Sequence, residues 1–314
     1  MALPAYQETY SGAVNEITLG GGTRKITVTI GGAKTAVYGG ENTGHRPVIA
    51  VDVLDAAPPE WPPALAEAWG GVLGDPAAWA RKAVEEVGAD LVCLKFDGVH
   101  PDKGNLPADH AVEVTRAVLG AVGVPLVLWG CGNDEKDNAV MPKVSGAAKG
   151  EMALLGTVSQ DNYKNLTAMA LADNHFLIAE APLDINIAKQ VNILVSDMGF
   201  PLERLVMFQT TGALGYGMEY AYSIQERERL AALAGDKLMA MPVICDVGYE
   251  SWRAKEAKLP TQDAPEWGDA AKRGPLWEAT TAVSLLQSGV DIIRMRHPAA
   301  IATVKTYIES VWGA

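Results

Sequence analysis

The chain has 314 residues, 48% hydrophobic and 20% charged, enough to bury most of its surface in one large domain or two small ones. Its apolar runs, such as Met152 to Ser159, fall far short of the roughly 20 residues that cross a bilayer, so no membrane association is expected. With 26 Lys and Arg against 38 Asp and Glu, the net charge of −12 would repel a phosphate backbone and excludes nucleic acid as a partner. The opening MALPAYQETYSG lacks the basic and apolar parts of an export signal, which makes the cytoplasm the expected location.

In chain order, the first pattern is a hairpin: VNEITL and KITVTI flank GGGTR, with Ile26, Val28 and Ile30 alternating. Residues 1–46 are read as an extension carrying this hairpin, which either closes the bottom of a barrel or pairs with a partner. Residues 47–314 are read as the barrel. There, eight short, β-branched-rich runs begin at Pro47, Asp90, Pro125, Met152, Phe176, Arg204, Pro242 and Asp291, and seven are followed by a clear helix pattern. Their starts lie 24 to 49 residues apart, which suits strand, loop, helix and return loop. The fold expected is an α/β protein, a (β/α)8 TIM barrel, which typically takes about 250 residues.

Helix boundaries agree with that repeat. Gly88, Gly123, Gly199 and Gly289 each stand between a helix and the next strand, where a left-handed cap suits glycine. Asp75 before Pro76 and His297 before Pro298 mark helix starts. Ile301, Val304, Ile308 and Val311 form one apolar stripe, and Ile187, Val191, Leu194 and Met198 another. The third helix, around Glu135 to Ala148, is the weak one because Pro142 interrupts it. Gly248 to about Gly274 reads as a long polar loop with Trp252 and Trp267, leaving the C-terminal face where barrels carry their sites. The Pro-rich stretch from Ala56 to Pro63, with Trp61, leaves the same face.

Cys93, Cys131 and Cys245 match no zinc or cluster spacing, and an iron–sulfur cluster normally needs four thiolates. They read as buried apolar thiols. His45, His100, His110, His175 and His297 include no metal-binding pair, so no metal site is expected. GALGYG at Gly212 to Gly217 reverses the spacing of a dinucleotide loop. The string from Asp173 to Ile178 approaches the lower-ligand motif of many cobalamin proteins but has Ile178 where glycine is required, so His175 reads as a polar connector.

The strand ends are polar: Asp52 and Asp55, Lys95 and Asp97, Asn133 and Asp134, Asp161 and Asn162, Glu180 with Asp184 and Asn186, Gln209, Asp246, and Arg294 with Arg296. They suit either a substrate site or a structural ion layer around the mouth. No pair stands out as acid and base, and no catalytic residue is assigned. The loop Thr210-Thr211-Gly212-Ala213-Leu214-Gly215-Tyr216 is the most informative stretch, because its small residues admit a close, bulky, flat neighbour and its hydroxyls offer hydrogen bonds.

This loop, with ETYSGAVNEITLG, GGAKT from Gly31, VCLKFDGVHPD from Val92, WGCGNDEKDN from Trp129 and APLDINIAKQVNIL from Ala181, resembles the small subunit of the corrinoid iron–sulfur protein, the delta subunit family of the acetyl-CoA decarbonylase/synthase complex. The resemblance covers essentially the whole chain. It implies a TIM barrel paired with a larger subunit that carries a 4Fe–4S cluster and the main cobalamin-binding domain, this chain supplying a platform against the corrinoid. The heterodimer would take a methyl group from methyltetrahydrofolate through a separate methyltransferase and pass it to acetyl-CoA synthase in the reductive acetyl-CoA pathway. Thr210 to Tyr216 is the expected corrin contact, with Asn133, Asp134 and Asn186 as further candidates on that face. The alternative is an independent folate-dependent methyltransferase holding a pterin through Asp97, Asn133, Asp161 and Asn186, and a third possibility is a purely structural barrel.

Overall fold

The computed structural model describes residues 9–36 and 42–313. The eight runs form eight parallel strands: β3 (Val48–Leu54), β4 (Leu91–Lys95), β5 (Leu126–Trp129), β6 (Leu154–Val158), β7 (Phe176–Ala181), β8 (Leu205–Gln209), β9 (Val243–Cys245) and β10 (Ile292–Met295). They close into a barrel in chain order, with β10 hydrogen-bonded to both β9 and β3. Successive side chains leave a strand on opposite faces. Val48, Ala50, Leu91, Cys93, Val127, Phe176, Ile178 and Ile292 thus meet on the barrel axis. Their neighbours Ile49, Val51, Val92, Leu94, Leu177 and Ile293 pack outward beneath the helices. Both faces are buried, which is why the runs are continuously apolar.

The hairpin closes the bottom. Strands β1 (Glu16–Leu19) and β2 (Val28–Gly31) pair antiparallel, with Ile17 opposite Ile30. Ile17, Leu19 and Ile30 join the axial cluster, while Arg24 reaches the carbonyls of Leu119 and Val122 and pairs with Glu151 at 2.7 Å. Ile26 is a correction: it precedes β2 and remains half exposed.

The helices are α1 (Pro63–Trp69), α2 (Pro76–Glu85), α3 (Ala108–Ala121), α4 (Asp134–Ala147), α5 (Tyr163–Asp173), α6 (Ile185–Asp197), α7 (Met218–Leu233), α8 (Val247–Arg253), α9 (Lys255–Lys258), α10 (Ala270–Leu286) and α11 (Pro298–Trp312). Asp75 accepts from the amides of Ala77 and Ala78, and His297 Nδ1 accepts from that of Ala299, so both expected caps form. Gly88, Gly199 and Gly289 have positive φ, but Gly123 does not. Gly123 serves a close approach instead: its carbonyl accepts from Lys25 N, and an added Cβ would lie 3.1 Å from the Lys25 side chain.

Three local expectations change. Helix α4 continues through Pro142, because burial of Val140, Met141 and Val144, with Asn133 capping the start, outweighs the lost backbone bond. In α6 the buried face is Ala188, Val191, Asn192 and Val195, and Leu194 and Met198 lie at its edge. The 248–274 segment is largely helical, holding most of α8, all of α9, two short 3-10 turns and the start of α10. Most of its charged residues face solvent while Trp252, Ala254 and Ala257 pack on Leu65. Among the described residues, no helix is long and apolar enough to cross a membrane.

Candidate functional site

Continuing the strand alternation toward the C-terminal end puts a polar layer above the apolar axis: Asp52 on β3, Lys95 on β4, Trp129 on β5, Glu180 on β7, Arg294 on β10, and Asp246 just past β9. Arg294 is the centre of this layer and is fully buried. Its guanidinium contacts Asp52 Oδ1 at 2.9 Å and Asp246 Oδ2 at 2.9 Å, and its Cζ lies 3.9 Å from the Trp129 ring centre. The second oxygen of Asp52 accepts from Arg296 Nε at 3.0 Å. Burial opposes the Arg294 charge, but Asp246 and Asp52 outweigh it and hold the group ionised. Burial raises the Asp246 carboxyl, against the pull of Arg294. Glu180 is raised by burial as well, although the Thr157 hydroxyl donates to it. Lys95 Nζ donates to Gly130 O at 2.5 Å.

Of the two readings of the strand-end polar groups, the structural ion layer describes this centre. Gln209 does not belong to the mouth: it is fully buried beside Glu228 of α7. Asp55 likewise turns inward and accepts from Gly98 N at 2.6 Å.

Glu278 of α10 was not legible as part of this region. Fully buried, it accepts from Trp252 Nε1 at 2.7 Å, Arg296 N at 2.6 Å and His297 N at 3.1 Å. Burial pushes its carboxyl up to about 7, against the pull of those donors. Trp252 is therefore an internal strut, whereas Trp267 is 38% exposed. The only sequence signal for Glu278 was an acid flanked by Trp277, Ala279 and Thr280, with no charge partner three or four residues away.

The 210–216 loop folds back on itself and leans toward α9 and α10. Thr210 is exposed, while Thr211 is buried and accepts from Asp246 N at 2.9 Å. Gly212 is not in the left-handed region; a Cβ there would lie 2.3 Å from Gly217 O, so its smallness serves the loop's own closure. Ala213 bridges to Tyr216, and Leu214 N donates to Thr281 Oγ1 at 3.2 Å. Gly215 has φ +74° and is exposed. Tyr216, 52% exposed, donates through its hydroxyl to Glu256 at 2.8 Å.

Asn133 caps α4 by accepting from Lys136 N, and Asp134 accepts from Asn162 Nδ2 at 2.9 Å. Asn186 is exposed at the start of α6. All these residues follow strand C-termini and share one face, but among the described residues no hydrogen bond joins the 210–216 loop to Asn133, Asp134 or Asn186. Cys93, Cys131 and Cys245 are buried separately.

The family model of the CO dehydrogenase/acetyl-CoA synthase delta subunit matches residues 16–259. The chain belongs to that family. Relatives named acetyl-CoA decarbonylase/synthase complex subunit delta include one from Archaeoglobus fulgidus, 36% identical over 98% of this chain and 70% of its own length. Another, from Methanothermobacter thermautotrophicus, is 38% identical over 97% of this chain and 78% of its own. Among solved structures, dihydropteroate synthase from Thermus thermophilus superposes with a TM-score of 0.56 at 16% identity, covering 94% of this chain and 98% of that one. The Xanthomonas albilineans dihydropteroate synthase in complex with 7,8-dihydropteroate gives 0.57 at 12%, covering 86% and 95%. At such identities the likeness establishes a shared barrel fold for this delta-subunit family member and nothing about its ligand.

Proposed function

We propose that the chain is the small subunit of a heterodimeric corrinoid iron–sulfur methyl carrier. Its C-terminal face covers the cobalamin held by a large subunit, which also carries the 4Fe–4S cluster. The methyl group comes from methyltetrahydrofolate through a methyltransferase and goes to acetyl-CoA synthase. The observation that carries this reading is the family match along nearly the whole chain. The shape of the mouth agrees with it. Arg294 and Trp129 fill the axis, while Thr210, Gly215, Tyr216 and Asn186 reach solvent around it. Such a face suits a broad, flat group resting on it, with polar groups meeting the amide fringe of a corrin.

Bound cobalamin would supply a nucleophilic cobalt that accepts and releases the methyl group. This chain's part is to exclude water and oxidant from one side, to offer hydrogen bonds from Thr210, and to present the exposed ring of Tyr216, whose hydroxyl is held by Glu256. Movement of the face away from the cofactor then admits each methyl donor or acceptor.

A pterin-binding methyltransferase is the second reading, since a barrel of this fold holds 7,8-dihydropteroate in a synthase of 12% identity, a likeness of fold alone. Against it, Asp97 is committed to the Lys103 ammonium. Assaying methyl transfer from methyltetrahydrofolate to free cobalamin, with and without the large subunit, separates the two. Turnover by this chain alone would overturn the carrier reading. In the assembled heterodimer, Gly212→Val should remodel the loop against Gly217 and speed oxidation of cobalt(I). An unchanged rate would move the contact to Asn133, Asp134 and Asn186.

A further inference from the structure

On the β3, β4 and β10 side of the face lies a cleft of about 660 Å3, walled by the loops at 56–62 and 97–104 and by α8. That volume lies in the range of small-molecule sites. Arg296 lines it and is only 5% exposed. Three contacts from behind fix this residue: Nε donates to Asp52, its amide to Glu278, and its carbonyl accepts from Trp69 Nε1 at 2.8 Å. Among the described residues neither Nη atom has a hydrogen-bond partner, and neither is sealed from solvent. The guanidinium carbon lies 5.2 Å from the ring centres of both Trp61 and Tyr249. A buried, pre-oriented fork between two aromatic walls is suited to a flat anion, because the fork matches an oxyanion and the rings match a flat face.

The other charges around the cleft agree. Lys103 is neutralised by Asp97 and Arg253 by Glu250, while Lys258 has no acid partner among the described residues. Glu60 and Asp102 stand at the rim, exposed to solvent and screened by it. The deepest unpaired donors are thus those of Arg296.

We propose that this cleft binds a small aryl oxyanion, a flat ring bearing a carboxylate or phosphate, with the Arg296 Nη groups forked onto the oxyanion and the ring against Trp61 and Tyr249. The proposal goes beyond the corrinoid reading and needs neither cofactor nor partner subunit.

Calorimetric titration of the 314-residue chain with phenyl phosphate, benzoate, inorganic phosphate and phenol tests it. At least one aryl anion should bind once per chain, and inorganic phosphate and phenol should each bind roughly tenfold or more weakly, a difference of about 1.4 kcal/mol. Arg296→Lys keeps the charge beside Asp52 but loses the fork, and Trp61→Leu removes one wall; each should weaken binding roughly tenfold. Melting curves establish that both variants fold, and if one does not, the other carries the test. No saturable binding of either aryl anion, equal binding of inorganic phosphate, or unchanged affinity in the folded variants would overturn the proposal.

Discussion

Arg294 on β10 stands 3.9 Å from the ring centre of Trp129 on β5, three strands away around the barrel, with Asp52 and Asp246 on its flanks. The mouth is thereby spanned by one side chain. Arg294→Met would leave buried Asp246 without its counter-charge and Asp52 with Arg296 alone, and should cost about 3–5 kcal/mol in urea unfolding. Adding Asp246→Asn should recover part of that loss. Equal stability of Arg294→Met and the parent would show that this pairing does not hold the mouth.

Glu228 gives a pH signature. Burial pushes its carboxyl up to about 8 from an ordinary 4.5, with Gln209 beside it. Between those values the folded chain keeps the proton that the unfolded chain has released. Stability is therefore lost as pH rises through this window. Glu228→Gln removes that contribution, so relative to the parent it should gain about 1.4 kcal/mol per pH unit across the window. Urea midpoints at pH 5 and pH 8 check this; a pH-independent difference would contradict it.

The two tryptophans of the 248–274 segment should behave oppositely. Trp252→Phe removes a donor from buried Glu278 and should cost about 1–3 kcal/mol. Trp267→Ala, at a partly exposed site over Arg273, should change stability by only about 0.5 kcal/mol. Thermal melts compare them directly.

Thiol reactivity should follow burial. Cys131 is 6% exposed and its thiol is pushed up to about 12 by burial, while Cys93 and Cys245 are fully buried and raised further. A disulfide reagent at pH 8 should label Cys131 slowly and the other two only after denaturation. Rapid labelling of all three in the native chain would contradict this order. Because the thiols are separate, the isolated chain should also purify anaerobically without iron.

The barrel was legible because its strands are buried on both faces and so announce themselves as short β-branched runs from Pro47 to Asp291. The hairpin was legible in type, but its role depended on Ile17 and Leu19 reaching the axis, which no local pattern encodes. The 248–274 segment was misread because its helices bury one narrow face and show charge on the rest. Asp52, Asp246, Arg294 and Arg296 could be named as strand-end residues, but their pairing appears only when β10 meets β3. Glu228 and Glu278 gave no signal in the sequence, since a helix pattern gives no warning of a buried carboxylate.

The seam between β10 and β3 also bears on how the chain is made. Asp52 and Arg294 are 242 residues apart, and β3 has only one neighbouring strand until β10 is available. During synthesis the open edges of β3 and β9 wait on the last strand, and such long-range closure is intrinsically slow. The growing chain is thus a half-rolled sheet with two adhesive margins, and Ile292 to Met295 is the segment that retires both in a single step.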